Sequence, residues 1–532
     1  RGMWHSVGGG ESGFATPDPV DPDIIWSSAS GAGARGGIVV RYNERTRQYR
    51  QVEVWPEVTA GWPAENLKYR FQWTFPLLIS SHDPNTIYVT SQHVHRTTTG
   101  GQRWDVISPD LTTNDKSRQR NSGGLTPDNI GVEYFSVIYA FDESPVQQGV
   151  LWAGTNDGLV QVSRDGGAIW TNVTDNIPNL APLGTVRNID ASRWEAGRAY
   201  ITVDFHEVGD FKPYVYKTDD FGANWRNITS GISVSPLSFA RHILEDPVRP
   251  GLLYLGTENA MYVSFNDGEK WQPFMTNMPA APMYWIAVQE HFNDLVVGTY
   301  GRGIWIMDDI TPLQQLTADV MSASAHLFKP RPAYRFQPIT EPMKMFDDQS
   351  DGDDPPAAAS INYWLREATE DSVNIRIVNA FGNTVRTLPG TGKAGINRVW
   401  WNLWGEPTTQ IKLRTKPQFA DWVELDEDRT RNALVGRITS LAPPGTYTVL
   451  LEVAGQEYMQ TLVVHKDPHS EGTESDIDAQ TAMVRSLQED MNTTAGLVNR
   501  IELIRRQIYD LKSLLKGRTD AGEIVSAVDL LD

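Results

Sequence analysis

The sequence predicts an all-β protein, with a β-propeller over residues 1–312 that is followed by a small β-sandwich and C-terminal helices. Two patterns predict the propeller, because a tight-turn motif ending in Trp and a strand motif ending in Gly-Thr both recur along the chain. The third observation is a change of hydrophobic period near the C-terminus. Alternation gives way there to one apolar residue in every three or four positions, which is typical of helices.

The turn motif reads hydroxyl, any residue, polar residue, any residue, Gly, two further residues and Trp. Three full copies consist of Ser163, Asp165, Gly167, Trp170; Thr218, Asp220, Gly222, Trp225; and Ser264, Asn266, Gly268, Trp271. A weaker copy runs from Thr97 to Trp104. Hydroxyl and carboxylate oxygens accept hydrogen bonds from nearby backbone N–H groups, and Gly tolerates positive φ. We therefore expect these residues to be structural rather than catalytic.

The strand motif occurs as LWAGT, LYLGT and LVVGT, with three more divergent copies. One residue marks each of the six strands: Ile25, Tyr88, Trp152, Tyr200, Leu253 and Val296. Their separation of about 40 to 65 residues is typical of four-stranded propeller blades. Six blades are therefore recognisable.

Further motifs carry a resemblance to a known family. They are GGGESGF from Gly8, LKYRFQW from Leu67, ISPDLTTND from Ile107 and VVGTYGRGIWIMDD from Val296. With the turns, they make the chain resemble the Asp-box (bacterial neuraminidase repeat) propellers, and among these the C-terminal half of sortilin-like proteins of the glycosyl-hydrolase type. The resemblance implies a secreted or cell-envelope protein directed at carbohydrate. Because non-enzymatic receptors share the turns, glycoside hydrolysis and a binding or assembly role, with a glycan or a peptide as ligand, both stay open.

The N-terminal segment bears on how the ring is completed. Met3–Val7 looks like the last strand of a blade whose other strands lie outside this chain, and a propeller must close to protect its sheet edges. We therefore expect a seven-bladed ring completed by an N-terminal propeller half or by another polypeptide. The alternative is a six-bladed ring closed by this chain alone.

Composition argues against several classes of partner. The chain has no cysteine, which excludes disulfides and thiolate metal sites. With 47 basic and 66 acidic residues its net charge is −19, which disfavours nucleic acid and anionic lipid. No apolar run reaches the roughly 18 residues of a membrane span. His93 and His95 have no third ligand nearby, so we interpret them as a surface pair and expect neither a metal nor a cofactor.

The propeller patterns stop after Asp309. Residues 313–359 are expected to form a linker, because their acidic run, which starts at Asp347, lacks the Glu that an EF-hand needs at its twelfth position. Alternating apolar residues over 360–468 predict a β-sandwich, which resembles immunoglobulin or fibronectin-III modules.

The last segment, residues 469–532, is predicted to form amphipathic helices. A capping box is expected at Ser475 and Asp478, with a break near Gly496 or Gly517. The apolar seam is too short to distinguish packing on the chain's own sandwich from an oligomeric coiled coil.

Candidate site residues lie on the strands predicted to be innermost. Those strands carry Glu11, Tyr69, Arg70, Gln72, Glu133, Tyr134, Arg187, Arg241, His242, Tyr284 and Trp285. Glu11 and Glu133 are the candidate catalytic pair, because glycosidases use two carboxylates about 5 to 9 Å apart. Arg70, Arg187 and Arg241 resemble the arginines with which sialidases bind a sugar carboxylate, and Tyr134 and Trp285 are candidates for stacking on a ring. Alternatively, these charges form structural ion pairs between blades.

Overall fold

The computed structural model of the protein describes residues 5–30, 35–336, 354–417, 419–420 and 422–531. It divides into two compact units, Arg1–Ile310 and Thr311–Asp532. The predicted fold class, an all-β propeller followed by a β-sandwich and C-terminal helices, is confirmed. Met3 and Trp4 of the predicted N-terminal strand and residues 337–353 of the predicted linker lie outside the described residues.

Across residues 5–30 and 35–310, the first unit forms six consecutive antiparallel sheets, which we call sheets 1 to 6. Sheet 1 contains β1 (Ala15–Pro17), β2 (Ile24–Ala29), β3 (Ile38–Asn43) and β4 (Gln48–Gln51). Sheet 2 contains β5 (Leu77–Ile79), β6 (Ile87–Thr90), β7 (Val94–Thr97) and β8 (Asp105–Val106). Sheet 3 contains β9 (Ile138–Glu143), β10 (Leu151–Thr155), β11 (Val160–Ser163) and β12 (Thr171–Asn172).

The remaining three sheets continue the same up-and-down order. Sheet 4 contains β13 (Thr185–Ala191), β14 (Ala199–Phe205), β15 (Asp210–Thr218) and β16 (Arg226–Asn227). Sheet 5 contains β17 (Ala240–Glu245), β18 (Leu253–Thr257), β19 (Met261–Ser264) and β20 (Gln272–Pro273). Sheet 6 contains β21 (Met283–Gln289), β22 (Asp294–Thr299) and β23 (Ile304–Met307). Short 3-10 turns occur at Ala64–Asn66, Lys116–Arg118, Thr174–Asn176 and His206–Val208.

Neighbouring sheets pack face to face, and their first strands line up side by side. β9 contacts β13, β13 contacts β17, and β17 contacts β21, so these are the inner strands. Trp152 of sheet 3 is fully buried in a cluster with Val186 and Ile201 of sheet 4. A Cβ on Gly154 would lie 2.4 Å from Val186 Cγ1, so the Gly of the strand motif permits this close approach.

The turn motifs fold as compact hydrogen-bonded turns. Ser163 Oγ accepts from Gly167 N at 2.9 Å and donates to Asp165 Oδ1 at 2.9 Å, while Asp165 Oδ1 accepts from Ile169 N. Gly167 has a φ of 98°, which favours Gly at this position. These bonds lower the pKa of Asp165, the largest cause being the Ile169 N–H. The copies at Thr218 and Ser264 repeat the same bonds.

The second unit is a two-sheet sandwich with helices. One sheet has the order β24 (Ala325–Leu327), β26 (Ala359–Leu365), β29 (Gly395–Trp401). The other has the order β25 (Ala333–Arg335), β33 (Gln456–Lys466), β32 (Gly445–Val453), β27 (Asn374–Val378), β28 (Thr384–Pro389). A small hairpin joins β30 (Lys412–Leu413) and β31 (Arg431–Asn432). Residues from both large sheets, including Tyr363 and Val449, share one core.

The predicted linker contributes to this sandwich. Residues 313–336 contain α1 (Thr311–Gln315, in part), α2 (Ala318–Ser322), β24 and β25. The linker interpretation is therefore wrong for β24, which pairs with β26, and for β25, which pairs in parallel with β33. Parallel pairing joins residues far apart in the chain, so the local sequence does not indicate it.

The C-terminal segment forms α3 (Glu474–Leu515) and α4 (Gly522–Leu531). α3 is capped by Thr473 and Asp476 instead of the predicted Ser475 and Asp478, and it continues through Gly496. None of the described helices is long and apolar enough to cross a membrane.

Three polar side chains attach α3 to its own unit. Asn492 and Asn499 accept from the backbone N–H groups of Thr409 and Lys412, and buried Glu502 accepts from those of Arg414 and Thr415. Burial alone would raise the pKa of Glu502, but these hydrogen bonds outweigh it and hold the pKa below its ordinary value. The helix therefore packs on its own unit, as one of the two predicted roles requires, and the oligomeric coiled coil stays a prediction.

Candidate functional site

Four consecutive inner strands carry the same irregularity. In β9, β13, β17 and β21, the pairing with the next strand skips one residue, so each inner strand holds a β-bulge. The extra residues are Tyr139, Arg187, Arg241 and Tyr284. A bulge takes one side chain out of the alternation of the strand and redirects it. The bulges therefore present two tyrosines and two arginines at equivalent positions, and we call these four residues the bulge cluster.

The side chains of the bulge cluster contact one another. Arg187 Nη1 donates to the Tyr139 hydroxyl at 2.7 Å, and its guanidinium lies 5.0 Å from the Tyr139 ring. Burial raises the pKa of Tyr139, and the neighbouring Tyr284 adds to this shift. Arg241 lies 5.3 Å from the Tyr284 ring and 4.9 Å from the Phe239 ring. One continuous set of contacts thus connects sheets 3, 4, 5 and 6.

Carboxylates of their own sheets hold both arginines of the cluster. Arg187 Nε donates to Asp204 at 2.9 Å, and Glu207 lies 3.6 Å from Nη2. Arg241 binds Glu258 through Nε at 2.8 Å and Nη2 at 2.6 Å, which leaves Nη1 without an acceptor among the described residues. Each guanidinium is therefore fixed in direction, and Arg241 keeps donor capacity for a ligand.

Arg70, the third predicted arginine, has a different environment. Its side chain is 3% exposed, its Nε donates to the Ser136 carbonyl, and its Nη2 binds Asp110 at 2.9 Å. A buried guanidinium with these partners connects sheet 2 to the start of β9. The structure therefore does not bring Arg70 together with Arg187 and Arg241 at a surface.

Of the two predicted catalytic carboxylates, Glu133 contacts Trp73. Glu133 accepts from Trp73 Nε1 at 3.0 Å, and Ser12, next to Glu11 in the chain, donates to the Trp73 carbonyl at 3.2 Å. Both Glu11 and Glu133 are exposed, and neither forms an ion pair with a described residue. Glu133 therefore lies beside Trp73, and neither acid belongs to the bulge cluster.

The two predicted stacking residues differ in accessibility. Tyr134 is buried and donates to the Thr59 carbonyl at 3.0 Å, and burial raises its pKa to about 12. Trp285 is 45% exposed and packs on His242, with ring centroids 4.2 Å apart. Burial lowers the pKa of His242 to about 3, so its imidazole is neutral. Only Trp285 offers a ring surface to solvent.

Sheet 6 adds two further exposed aromatic residues. Tyr284 is 41% exposed, and Tyr300 is 74% exposed with its ring centroid 6.2 Å from that of Tyr284. Exposed aromatic rings beside a fixed guanidinium can stack on an apolar ring face while the cation binds an anionic substituent. Tyr284 belongs to the bulge cluster and Tyr300 lies beside it, so these two rings mark where the cluster is accessible to solvent.

Sequence reasoning missed Tyr139, Asp204 and Glu258. Tyr139 ends the stretch GVEYFSVIY, Asp204 is the next-to-last residue of β14, and Glu258 directly follows β18. These residues could have been found by aligning the inner strands with one another, each placed by the Gly-Thr strand that follows it in the sequence. The bulge itself leaves no mark in composition.

The opposite ends of the inner strands carry acids that connect the sheets. Asp142 Oδ2 accepts from Ala191 N at 2.8 Å, and Asp190 Oδ2 accepts from Glu245 N at 2.7 Å. Asp142 keeps some solvent contact but is closely surrounded by protein, and burial raises its pKa to about 7. Burial also raises the pKa of Asp190 well above its ordinary value. These carboxylates are inter-sheet connections.

The structure also corrects the interpretation of the histidine pair. His95 is fully buried and bonds to Ser91 Oγ at 2.8 Å, and His93 bonds to the Ser108 carbonyl, so the two are not a surface pair. Burial lowers the pKa of His95 to about 3. Within the described residues, no three His, Cys, Asp or Glu side chains are grouped to hold a metal ion.

No family model and no curated protein matches this sequence. Among solved structures, the chain is similar to a GH74 xyloglucanase from Xanthomonas campestris, at 14% identity and a TM-score of 0.41, over 85% of this chain and 60% of that chain. It is also similar to the extracellular domain of a hybrid two-component system protein, BT3049, from B. thetaiotaomicron (14% identity, TM-score 0.36, 84% of this chain and 52% of that one). A third similar structure is YCF48 from Cyanidioschyzon merolae (13% identity, TM-score 0.35, 54% and 79%). The chain therefore spans less than two thirds of the xyloglucanase, and similarity at this level concerns the fold and assigns no activity.

Proposed function

We propose that the protein is a carbohydrate-directed binding propeller that recognises an acidic sugar at the bulge cluster. The observation that carries the proposal is the pairing of a fixed guanidinium, Arg241, with exposed Tyr284 and Tyr300. A uronic acid offers an apolar ring face for the tyrosines and a carboxylate for Arg241 Nη1. Charged hydrogen bonds of this kind are worth about 1.5 to 3 kcal/mol.

The setting of this function is part of the proposal. Secretion or attachment to the cell envelope rests on the resemblance of the turn and strand motifs to sortilin-like, Asp-box proteins. The protein has a net charge of −19, so long-range electrostatics repel an anionic ligand. Local cations must therefore hold it. The fixed arginines supply that local charge.

A matched pair of ligands tests the proposal. We expect an oligosaccharide ending in glucuronic acid to bind, measured by calorimetry, and the same oligosaccharide ending in glucose to bind at least roughly tenfold more weakly. Arg241→Gln should remove this preference. Arg164→Gln, an exposed arginine on a turn of sheet 3, serves as the control and should keep it. Equal affinity for the two ligands, or an unchanged preference in Arg241→Gln, would contradict the proposal.

Hydrolysis is the second candidate function, favoured by the exposed carboxylates of Glu11 and Glu133, the second of which contacts Trp73. If Glu11 and Glu133 act as a glycosidase pair, Glu133→Gln should abolish turnover without changing the melting temperature. The test is a glycan hydrolysis screen with the parent chain, Glu133→Gln and Glu195→Gln, the last being an exposed acid between β13 and β14 of sheet 4. Turnover that survives Glu133→Gln would exclude this pair.

A further inference from the structure

His206, a histidine of sheet 4, lies beside the bulge cluster. It begins the 3-10 turn after β14, at the end of that strand which pairs with the bulged part of β13. Its imidazole stacks on the ring of Phe239, which directly precedes β17, with ring centroids 4.8 Å apart and an angle of 11° between the planes. The Arg241 guanidinium lies 4.9 Å from the centre of the same ring. His206 and Arg241 therefore contact one aromatic side chain.

A buried carboxylate fixes the direction of this imidazole. Asp204 is fully buried, and its Oδ2 lies 2.7 Å from His206 Nδ1. Because a carboxylate only accepts hydrogen bonds, Nδ1 carries a proton and donates to it. In the neutral ring the lone pair is then on Nε2. Nε2 has no hydrogen-bond partner among the described residues and the side chain is 30% exposed, so it is a base that a ligand can reach.

The same carboxylate links His206 to the bulge cluster. Asp204 Oδ2 also accepts from Arg187 Nε at 2.9 Å, and Arg187 donates in turn to the Tyr139 hydroxyl. A proton taken up by Nε2 would convert the imidazole into an imidazolium, and the Asp204 carboxylate would stabilise this charge. The two residues can therefore accept a proton beside the arginines of the cluster.

Uronic acids undergo a reaction that requires this combination of groups. The C5 hydrogen of a uronate is next to the carboxyl carbon, so its removal places negative charge on the carboxyl group, and a guanidinium bound there stabilises that charge. If C4 carries a glycosidic oxygen, the remaining electron pair can form a C4–C5 double bond and expel this oxygen. The reaction needs a cation for the carboxylate, a base for the C5 proton and an acid for the leaving oxygen.

We infer that the bulge cluster, together with His206, cleaves a uronate linked through O4 by β-elimination, an activity that rests on the acidic-sugar binding proposed above. Arg241 binds the carboxylate, and His206 Nε2 removes the C5 proton. The C–H electron pair forms the C4–C5 double bond and the C4–O4 bond breaks. O4 takes the hydroxyl proton of Tyr284, whose exposed side chain contacts Arg241. No water is added, and His206 and Tyr284 recover their starting protonation states by exchange with solvent.

The reaction makes a demand on the substrate that binding does not make. A glucuronate at the non-reducing end has a free hydroxyl at C4, so it can bind but has no sugar to expel. An internal glucuronate linked through O4 has this leaving group. Its cleavage gives an unsaturated uronate that absorbs ultraviolet light, and the two fragments together have the mass of the substrate. Hydrolysis would instead add the mass of one water molecule.

Two oligosaccharides therefore separate binding from chemistry. One has its glucuronate at the non-reducing end, and its affinity is measured by calorimetry. The other has an internal glucuronate linked through O4, and its cleavage is followed by ultraviolet absorbance and mass spectrometry. We expect the parent chain to bind the first and to cleave the second without adding water.

The variants assign the base and the acid. His206→Gln should bind the first oligosaccharide as the parent does and should cleave the second at least about a hundredfold more slowly, which is the usual contribution of a general base. Tyr284→Phe keeps the ring but lacks the proton, so it should also bind normally and cleave slowly. The matched controls are His469→Gln, an exposed histidine of the second unit, and Tyr49→Phe, whose Tyr is 66% exposed. Both should cleave at the parent rate.

Each contrary result has a distinct meaning. A parent chain that binds the first oligosaccharide and leaves the second intact would overturn elimination while acidic-sugar binding stands. Failure to bind either one would overturn both proposals. Fragments that contain an added water molecule would replace elimination by hydrolysis. A full rate in His206→Gln or in Tyr284→Phe would also overturn the inference, and retained affinity for the first oligosaccharide shows that these variants are folded.

Discussion

Replacing Ser163 by Ala tests whether the repeated turns are structural. The Ser163 side chain is buried, and its hydroxyl is the acceptor for the buried N–H of Gly167 at 2.9 Å. Ala leaves that N–H without a partner, and an unsatisfied buried donor costs about 1 to 3 kcal/mol. For a unit of this size, a loss of about 2 kcal/mol corresponds to a fall in melting temperature of roughly 3 °C.

Differential scanning calorimetry is the assay for this variant, because the two units can unfold in separate transitions. We expect only the transition of the N-terminal unit to shift, and the affinity for an acidic sugar to stay unchanged. Asp165→Asn is the control, since Asn266 makes the same turn bonds in the third copy, to Ser264 and Lys270. An unchanged melting temperature with lost binding would refute the structural role and make the turns part of the site.

The remaining predictions concern packing and pH. Gly154→Ala should destabilise the first unit by about 1 to 3 kcal/mol in urea unfolding, because its Cβ would overlap a buried Val; Gly298→Ala, with no neighbour nearer than 3.8 Å, should be close to neutral. The raised pKa of Asp142 means that ionisation disfavours the folded state, so stability should fall as pH rises from about 3.8 to about 7, and Asp142→Asn should flatten this slope. The lowered pKa of Glu502 predicts the opposite dependence of stability on pH. Its stabilisation of the second unit is present above the ordinary carboxyl pKa and lost on acidification, and Glu502→Gln should remove that pH dependence.

Local chemistry explains which features could be predicted from the sequence. A turn such as Ser163–Trp170 needs a hydroxyl, a side-chain acceptor and Gly at fixed positions, so its composition reveals it. The Gly-Thr strands are equally visible, because Gly154 and Gly256 each lie against the next sheet. The presence and the order of the six sheets therefore follow from these two local patterns.

Long-range pairing explains what could not be predicted. Arg70 reads as an exposed site residue beside Tyr69, yet its partners Ser136 and Asp110 are distant in the chain, and they decide its burial. β25 pairs in parallel with a strand more than a hundred residues later, which no short pattern indicates. The same limitation applies to the cap of α3, where Thr473 and not Ser475 begins the helix.

The choice of residue at the four bulges bears on the proposed ligand, because packing requires a residue there but does not determine its type. In β9, β13 and β17, burial follows one common pattern, in which the extra residue is less buried than both of its neighbours. Deleting it would shift the strand by one residue and turn core side chains to the wrong face, so the core requires a residue at this position. It does not require a particular residue, because the side chain lies outside the alternation. Packing therefore leaves the choice of Tyr139, Arg187, Arg241 and Tyr284 open, and the contacts among them form the surface at which we propose that an acidic sugar binds.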